Sequence, residues 1–248
     1  MELHLRQYDC GPCPYLEGRL WRIEQFSTPC LDPGLYESLL GLGFRRSGMS
    51  FYRNTCDSCG LCIPIRLDTT AFRPSKTMRR LGRANADISV ALVDGTAVGE
   101  GGDERFGLYR RYTDARHREE GEAPADPASY ASFLVRSPCG PTKVSEYRLP
   151  DGRLAATGYL DLLPDGLSSV YFAFDPDFGK RSLGVWSVQR ELELAASLGL
   201  RWYYLGFWVP GSRKMDYKAR FTPFEYAKDG AWHPVPDRDA ALLALGVA

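Results

Sequence analysis

The chain has 248 residues and 44% of them are hydrophobic, which is enough for one large domain or two small ones and excludes a fibre or a disordered tail. Lys and Arg total 31 and so do Asp and Glu, so no global positive field draws in nucleic acid, and an RNA partner has to be held by local basic patches. No apolar run approaches the roughly 20 residues of a membrane span, and the opening MELHLRQYDC has no charged leader followed by an apolar stretch; the expected location is cytoplasmic.

The first third is dense in turn residues and holds most of the cysteines. Cys10-x-x-Cys13 and Cys56-x-x-Cys59-x-x-Cys62 have the spacing with which a tight turn aims two thiolates at one ion. Cys10, Cys13, Cys56, Cys59 and Cys62 are therefore expected to hold zinc or an iron–sulfur cluster, and the alternative is reduced thiols packed in a small core. The triple run resembles part of a ferredoxin ligand string, with Ile63-Pro64 where the fourth cysteine would follow. A helix is expected around Leu35 to Leu42, opened by Asp32-Pro33 and stopped by Gly43. The basic residues Arg73, Lys76, Arg79, Arg80 and Arg83 precede a short strand from Ile88 to Val93. A division near residue 85 separates a Cys-rich domain of residues 1–84 from a second domain of residues 85–248.

Beyond the division the pattern becomes regular. A helix from Asp103 to Arg118 and another around Pro127 to Val135 precede three extended runs, Lys143 to Leu149, Leu154 to Leu163 and Leu167 to Phe174. Pro150-Asp151-Gly152 and Pro164-Asp165-Gly166 separate them, with Pro presetting one turn dihedral and Gly tolerating positive φ, so the runs read as an antiparallel meander. From Val185 to Leu198 the period becomes helical, with Val185, Val188, Leu192 and Ala195 or Ala196 on one stripe and Arg190, Glu191 and Glu193 elsewhere. Gly199 stops it, and a buried strand from Arg201 to Val209 follows. Strand, helix, helix, three-strand meander, helix, strand is the order of the GNAT acyltransferase fold, and the fold class is mixed α/β (α+β).

In that fold the helix after the meander aims its N-terminus at an anionic donor. Here it begins with Phe178-Gly179-Lys180-Arg181-Ser182-Leu183-Gly184, so Lys180, Arg181 and Gly184 are expected to bind the donor. Trp186 stands where a CoA-binding loop keeps a small residue, which argues against acetyl-CoA; the loop reads equally as a helix cap with two solvated cations. There is no G-x-S-x-G elbow and no P-loop, and His4, His117 and His233 have no partners at ligand or triad spacing. Trp202 to Trp208 is mostly core. Residues 211–220 carry four cations around Tyr217, which a solvated helix face would also explain.

Tyr15-Leu16-x-Gly18-Arg19, Gly43-Phe44-Arg45-Arg46-Ser47-Gly48, Cys59-x-x-Cys62-x-Pro64-Ile65-Arg66, Phe72-x-Pro74-Ser75-Lys76, Ser182-Leu183-Gly184, Tyr204-Leu205-Gly206 and Lys214-Met215-x-Tyr217-Lys218 together resemble the arginyl-tRNA–protein transferase family. The length and the Met-Asp-Tyr-Lys form resemble its bacterial aspartate/glutamate leucyltransferase branch. The resemblance implies a Cys-rich N-terminal domain and a GNAT-like domain that together move an amino acid from its tRNA to the N-terminus of a protein, marking it for degradation in the N-degron pathway. An aminoacyl ester is already activated, so no ATP, CoA or other cofactor is required for the transfer itself.

Within the resembling segments, Tyr217 and Lys218 are the expected catalytic residues. Arg45, Arg46, Ser47 and Lys214 are expected to bind an acceptor beginning with Asp or Glu. Arg79 and Arg80 join the donor-binding residues as tRNA contacts. An arginine donor needs a free carboxylate near the ester, for which Asp161, Asp175 and Asp216 are available, whereas leucine needs only an apolar slot such as Phe172, Phe174, Tyr204, Phe207 and Trp208 would provide. Leucine is the expected donor. The alternatives are arginyl transfer, a metal-bearing RNA-binding module without activity, and acetyl transfer from acetyl-CoA.

Overall fold

The computed structural model describes residues 4–57, 59–116, 118 and 123–247. Two sheets organise them. The smaller is antiparallel in the order β1-β2-β4-β3, from β1 (Arg6–Pro12), β2 (Leu20–Ser27), β3 (Arg45–Ser47) and β4 (Ser50–Asn54). Between β2 and β3 runs α1 (Pro33–Gly41), with Pro33 in its first turn and Asp32 accepting the free Gly34 and Leu35 amides. Its buried face, Tyr36, Leu39 and Leu40, packs with Phe26, Phe44 and Phe51 and with Trp202 and Tyr204 of the main sheet. That apolar cluster holds β3 against the main sheet.

The main sheet has the order β12-β11-β5-β10-β9-β8-β7-β6. Its strands are β5 (Ile63–Asp68), β6 (Ser89–Asp94), β7 (Lys143–Arg148), β8 (Leu154–Leu162), β9 (Gly166–Phe174), β10 (Trp202–Trp208), β11 (Phe224–Lys228) and β12 (Ala231–Val235). The helices are α2 (Lys76–Ala84), α3 (Asp103–Arg116), α4 (Pro127–Tyr130), which widens into a π-turn over Ala131–Val135, α5 (Leu183–Ser197) and α6 (Arg238–Leu245). β6-α3-α4-β7-β8-β9-α5-β10 is the order expected from periodicity and turns, with ends within two residues of those expected. Every residue of β8 but the last is buried, because α5 covers one face through Leu183 and Trp186 and α3 covers the other through Leu108.

The division expected near residue 85 does not separate the sheets. β5 lies within residues 1–84, yet it pairs antiparallel with β10 over Ile63 to Asp68 and with β11 at Ile65 and Arg66. Ile63, Ile65 and Leu67 are among the most buried residues of the main core. His117 lies outside the described residues, while His4 is exposed and His233 stacks on Tyr226.

Candidate active site

The site begins where two parallel strands part. β9 and β10 pair at Gly166–Trp202, Leu167–Tyr203 and Ser168–Tyr204 and then stop, although β9 stays paired to β8 as far as Phe174 and β10 to β5 as far as Trp208. Each strand has a bulge just past the last shared pair: Val170 is the extra residue of β9 and Leu205 that of β10. A bulge bends its strand and leaves one residue out of the ladder, so the strands diverge and leave main-chain carbonyls without a partner strand.

Two cations from separate elements cap those carbonyls. The Arg45 guanidinium, from β3, donates to the Ser169 carbonyl. Lys218, from the 3₁₀ turn Asp216–Arg220, donates from Nζ to the Leu205 carbonyl at 2.9 Å. They meet over Gly206, whose φ is +91°; a Cβ there would lie 3.2 Å from Lys218 Nζ and 3.5 Å from Arg45 Nη2. Glycine is needed twice over, for the left-handed backbone and for the room. Among the described residues no carboxylate forms an ion pair with Arg45 or Lys218. Burial, reinforced by Arg45, lowers the Lys218 ammonium to about 7. Around this pair Tyr52, Ser169, Val170, Tyr217 and Lys218 itself are half-buried.

Beneath the opening lies Glu191 of α5. Its Oε2 accepts from the Tyr203 hydroxyl at 2.6 Å, and Ser145 lies 3.5 Å from Oε1. Gly158 clears its space, since a Cβ there would come within 2.4 Å of Oε1. Burial raises the Glu191 carboxyl to about 7. Tyr217 lies within electrostatic reach of Glu191 and of Tyr112 on α3, and burial raises its phenol to about 12. On the other side of Arg45 are Tyr15 and Tyr52, with Tyr15 also close to Cys13 and Cys62.

Of the expected site residues, Arg45, Tyr217 and Lys218 come together at the opening. Ser47 lies on the same strand face as Arg45, opposite Ser50. Arg46 does not join them. Strand alternation turns it to the other face, where it is fully buried and grips Asp161 through Nε–Oδ2 at 2.6 Å and Nη2–Oδ1 at 2.9 Å. Its Nη1 donates to the Arg136 carbonyl, so Arg46 is structural and its expected acceptor role is withdrawn. Lys214 is exposed at the start of the turn that carries Lys218.

The expected donor residues lie along α2 and α5, which pack together. Arg79 and Arg80 are exposed on α2, and Lys180 is exposed before α5. Gly184, in the first turn of α5, faces the Phe172 ring of β9. Arg181 is half-committed: it pairs with Asp87 at 2.5 Å and donates to the Ala84 carbonyl, tying α2 to the start of α5. The three acids named for an arginine donor are all paired, Asp161 with Arg46, Asp175 with Arg111 and Asp216 with Arg238. Asp216 also accepts from Trp208 Nε1 at 2.9 Å. Of the expected apolar walls, Tyr204, Phe207 and Trp208 are buried in the core, which leaves Phe172 and Phe174 half-exposed.

Glu191, Gly206, Ser169 and Tyr52 were not among the expected site residues. Glu191, expected outside the buried stripe of α5, stands i+3 from Val188 and i−4 from Ala195 and so falls on it. The five expected thiols do gather: Cys62 is within electrostatic reach of Cys56, Cys13 and Cys59, and burial raises it to about 12, while Cys10 is near Cys56. Among the described residues, however, no three Cys, His, Asp or Glu side chains are placed as a metal's ligand set.

A pair of parallel strands that bulge and splay, joined by the intervening α5, is the arrangement of a GNAT-like fold. Residues 11–80 match the family described as "Arginine-tRNA-protein transferase, N terminus" and residues 104–228 the one described as "Arginine-tRNA-protein transferase, C terminus". The chain belongs to the arginine-tRNA-protein transferase family. It is 40% identical over 228 residues to the aspartate/glutamate leucyltransferase of Chromobacterium violaceum, covering 91% of each chain. It is 41% identical over 227 residues to that of Parvibaculum lavamentivorans, covering 91% of this chain and 92% of the relative. Among solved structures, FemX shares the fold with a TM-score of 0.51 at 9% identity, over 98% of this chain and 90% of that one.

Proposed function

We propose that the protein transfers leucine from Leu-tRNA to the N-terminal Asp or Glu of other proteins, and that the gap between β9 and β10 is where ester and amine meet. The observation that carries this reading is the convergence of Arg45 and Lys218 over Gly206 with no carboxylate among the described residues to pair them. Arg45 offers the acceptor's side-chain carboxylate a charge-assisted hydrogen bond in a partly desolvated place, where such bonds are strong. An acceptor beginning with Lys or Arg would bring a third cation there. Leucine is favoured as donor because Asp161, Asp175 and Asp216 are already paired and the half-exposed Phe172 and Phe174 supply an apolar wall. Both relatives named above are aspartate/glutamate leucyltransferases.

The chemistry asks little of the protein. The ester is activated, and an α-amino group with a pKa of about 7.7 to 8.0 reaches its neutral form at pH 7 for roughly 1 kcal/mol. Orientation of amine and ester, together with donors at the developing oxyanion, supplies most of the rate. The exposed Arg79, Arg80 and Lys180 are the proposed contacts for the tRNA acceptor end. The reaction belongs in the cytoplasm, where aminoacyl-tRNA and new protein N-termini are found. Zinc or an iron–sulfur cluster on Cys10, Cys13, Cys56, Cys59 and Cys62 would need these thiols to draw together, and no step of the transfer is routed through it. Metal analysis and absorption spectra after anaerobic purification test for it; sub-stoichiometric zinc and iron leave packed thiols.

To test the transfer, Leu-tRNA and Arg-tRNA are offered separately to peptides that differ only in an N-terminal Asp, Glu, Lys or Arg. Leucine should appear on the Asp and Glu peptides. Preferential transfer of arginine would overturn the donor, and equal labelling of the Lys peptide would overturn the acceptor.

A further inference from the structure

We propose that the Lys218 amine is the proton acceptor for the attacking N-terminal amine and returns that proton to the departing ribose oxygen. This rests on the transfer reaction above and goes beyond it by giving Lys218 a task that Arg45, its neighbour at the same opening, cannot perform.

The surroundings of Nζ disfavour a permanent ammonium. An ammonium has three N–H donors to satisfy, and here the Leu205 carbonyl at 2.9 Å takes one. The group facing it from β3 is the Arg45 guanidinium, a cation without a lone pair. Gly206 of β10 brings no side chain, and Tyr52 of β4 lies beside Arg45. Glu191 of α5 and Tyr112 of α3 act on the neighbouring Tyr217, while Glu191 itself is occupied by Tyr203. Among the described residues no carboxylate pairs with Lys218. Desolvation and a like charge both favour the neutral amine, and the lowered value of about 7 is the direction that geometry requires. Lys218 keeps part of its surface exposed, whereas Glu191 is fully buried.

The balance closes without a co-reactant. The neutral α-amine adds to the ester carbonyl carbon, forming the C–N bond and leaving one proton in excess on nitrogen. Lys218 Nζ takes that proton. As the carbonyl re-forms, the C–O bond to the ribose breaks, the proton passes to the leaving oxygen, and Lys218 is neutral again. A base titrating near the working pH is suited to both transfers.

The test is single-turnover transfer of leucine to saturating Asp peptide from about pH 5.5 to 9, with wild type, Lys218→Arg and Lys218→Met, and thermal melting of each. Both variants should lose about 100-fold or more in rate, with the peptide KM changed less than about threefold. Arginine keeps the charge and lacks the base, so Lys218→Arg within about threefold of wild type would overturn the proposal in favour of a charged carboxylate or oxyanion ligand. If the variants do not fold, the wild type decides. Its rate should rise through an inflection that stays fixed when acceptor peptides of different α-amine pKa are compared, and an inflection that follows the peptide would overturn the proposal. Failure of the wild type to transfer leucine at all would overturn the underlying reaction instead.

Discussion

Arg45 and Arg46 are adjacent and of one residue type, and the sequence offers nothing to tell them apart. The alternation of β3 separates them, sending Arg45 to the opening and Arg46 to a buried pair with Asp161. Arg46→Ala is therefore expected to cost about 3–5 kcal/mol of stability, because it strands a buried carboxylate; urea unfolding at constant m-value measures it. Arg45→Ala should unfold close to wild type and lose transfer to Asp and Glu peptides. Glu191 makes a separate prediction through pH. Its folded pKa is raised to about 7, so its contribution to stability is fully present below the unfolded carboxyl pKa near 4.3 and is lost as pH rises through about 7. The stability of wild type relative to Glu191→Gln should fall by on the order of 3 kcal/mol between those limits and stay level above them. A flat difference across that range would show that Glu191 is ionised throughout.

At the scale of elements, the second half was legible because its signals are local: Pro-Asp-Gly turns bound the meander and a change of period marks α5. In the first half only α1 was, announced by Asp32-Pro33 and Gly43. β3 and β4 are only three and five residues long, β1 carries Cys10 and Gly11, and β5 reads Ile63-Pro64-Ile65, where a proline argues against a central strand. Tertiary pairing with β10 overrides that local signal. The bulges at Val170 and Leu205 that create the site leave no trace in composition; Gly206 alone marks the second. Gly206→Ala should destabilise by more than about 1 kcal/mol, since its φ is +91°, and should abolish transfer by pushing Lys218 and Arg45 apart. The amphipathic α2 gives another test at this scale. Met78 is buried inward while Arg79 and Arg80 face solvent, so Arg79→Glu with Arg80→Glu should raise the KM for aminoacyl-tRNA. The double change should also make the salt dependence shallower by about 2 in log–log slope and leave the peptide KM unchanged.

For the whole molecule, the division near residue 85 carries the last prediction. By composition the chain changes there, from Cys-rich and turn-rich to regularly patterned, and the two family matches also fall on either side of it. The main sheet crosses it. β5 supplies the strand between β10 and β11, and Arg66 from β5 pairs with Glu225 of β11 at 2.6 Å while stacking on Trp202. Residues 85–248 alone would leave the edges of β10 and β11 unpaired and expose the surface that Ile63, Ile65 and Leu67 cover, a template for aggregation. They would also lack Arg45, and with it one half of the cation pair over Gly206. Expressed alone, residues 85–248 are expected to be insoluble or molten, with fast amide exchange in β10 and β11. Expressed together with residues 1–84, they should recover a stable complex and leucine transfer, because the missing strand and arginine return by association. A folded and active 85–248 fragment would show that β5 and Arg45 are dispensable, and would remove the basis for placing the reaction at the gap between β9 and β10.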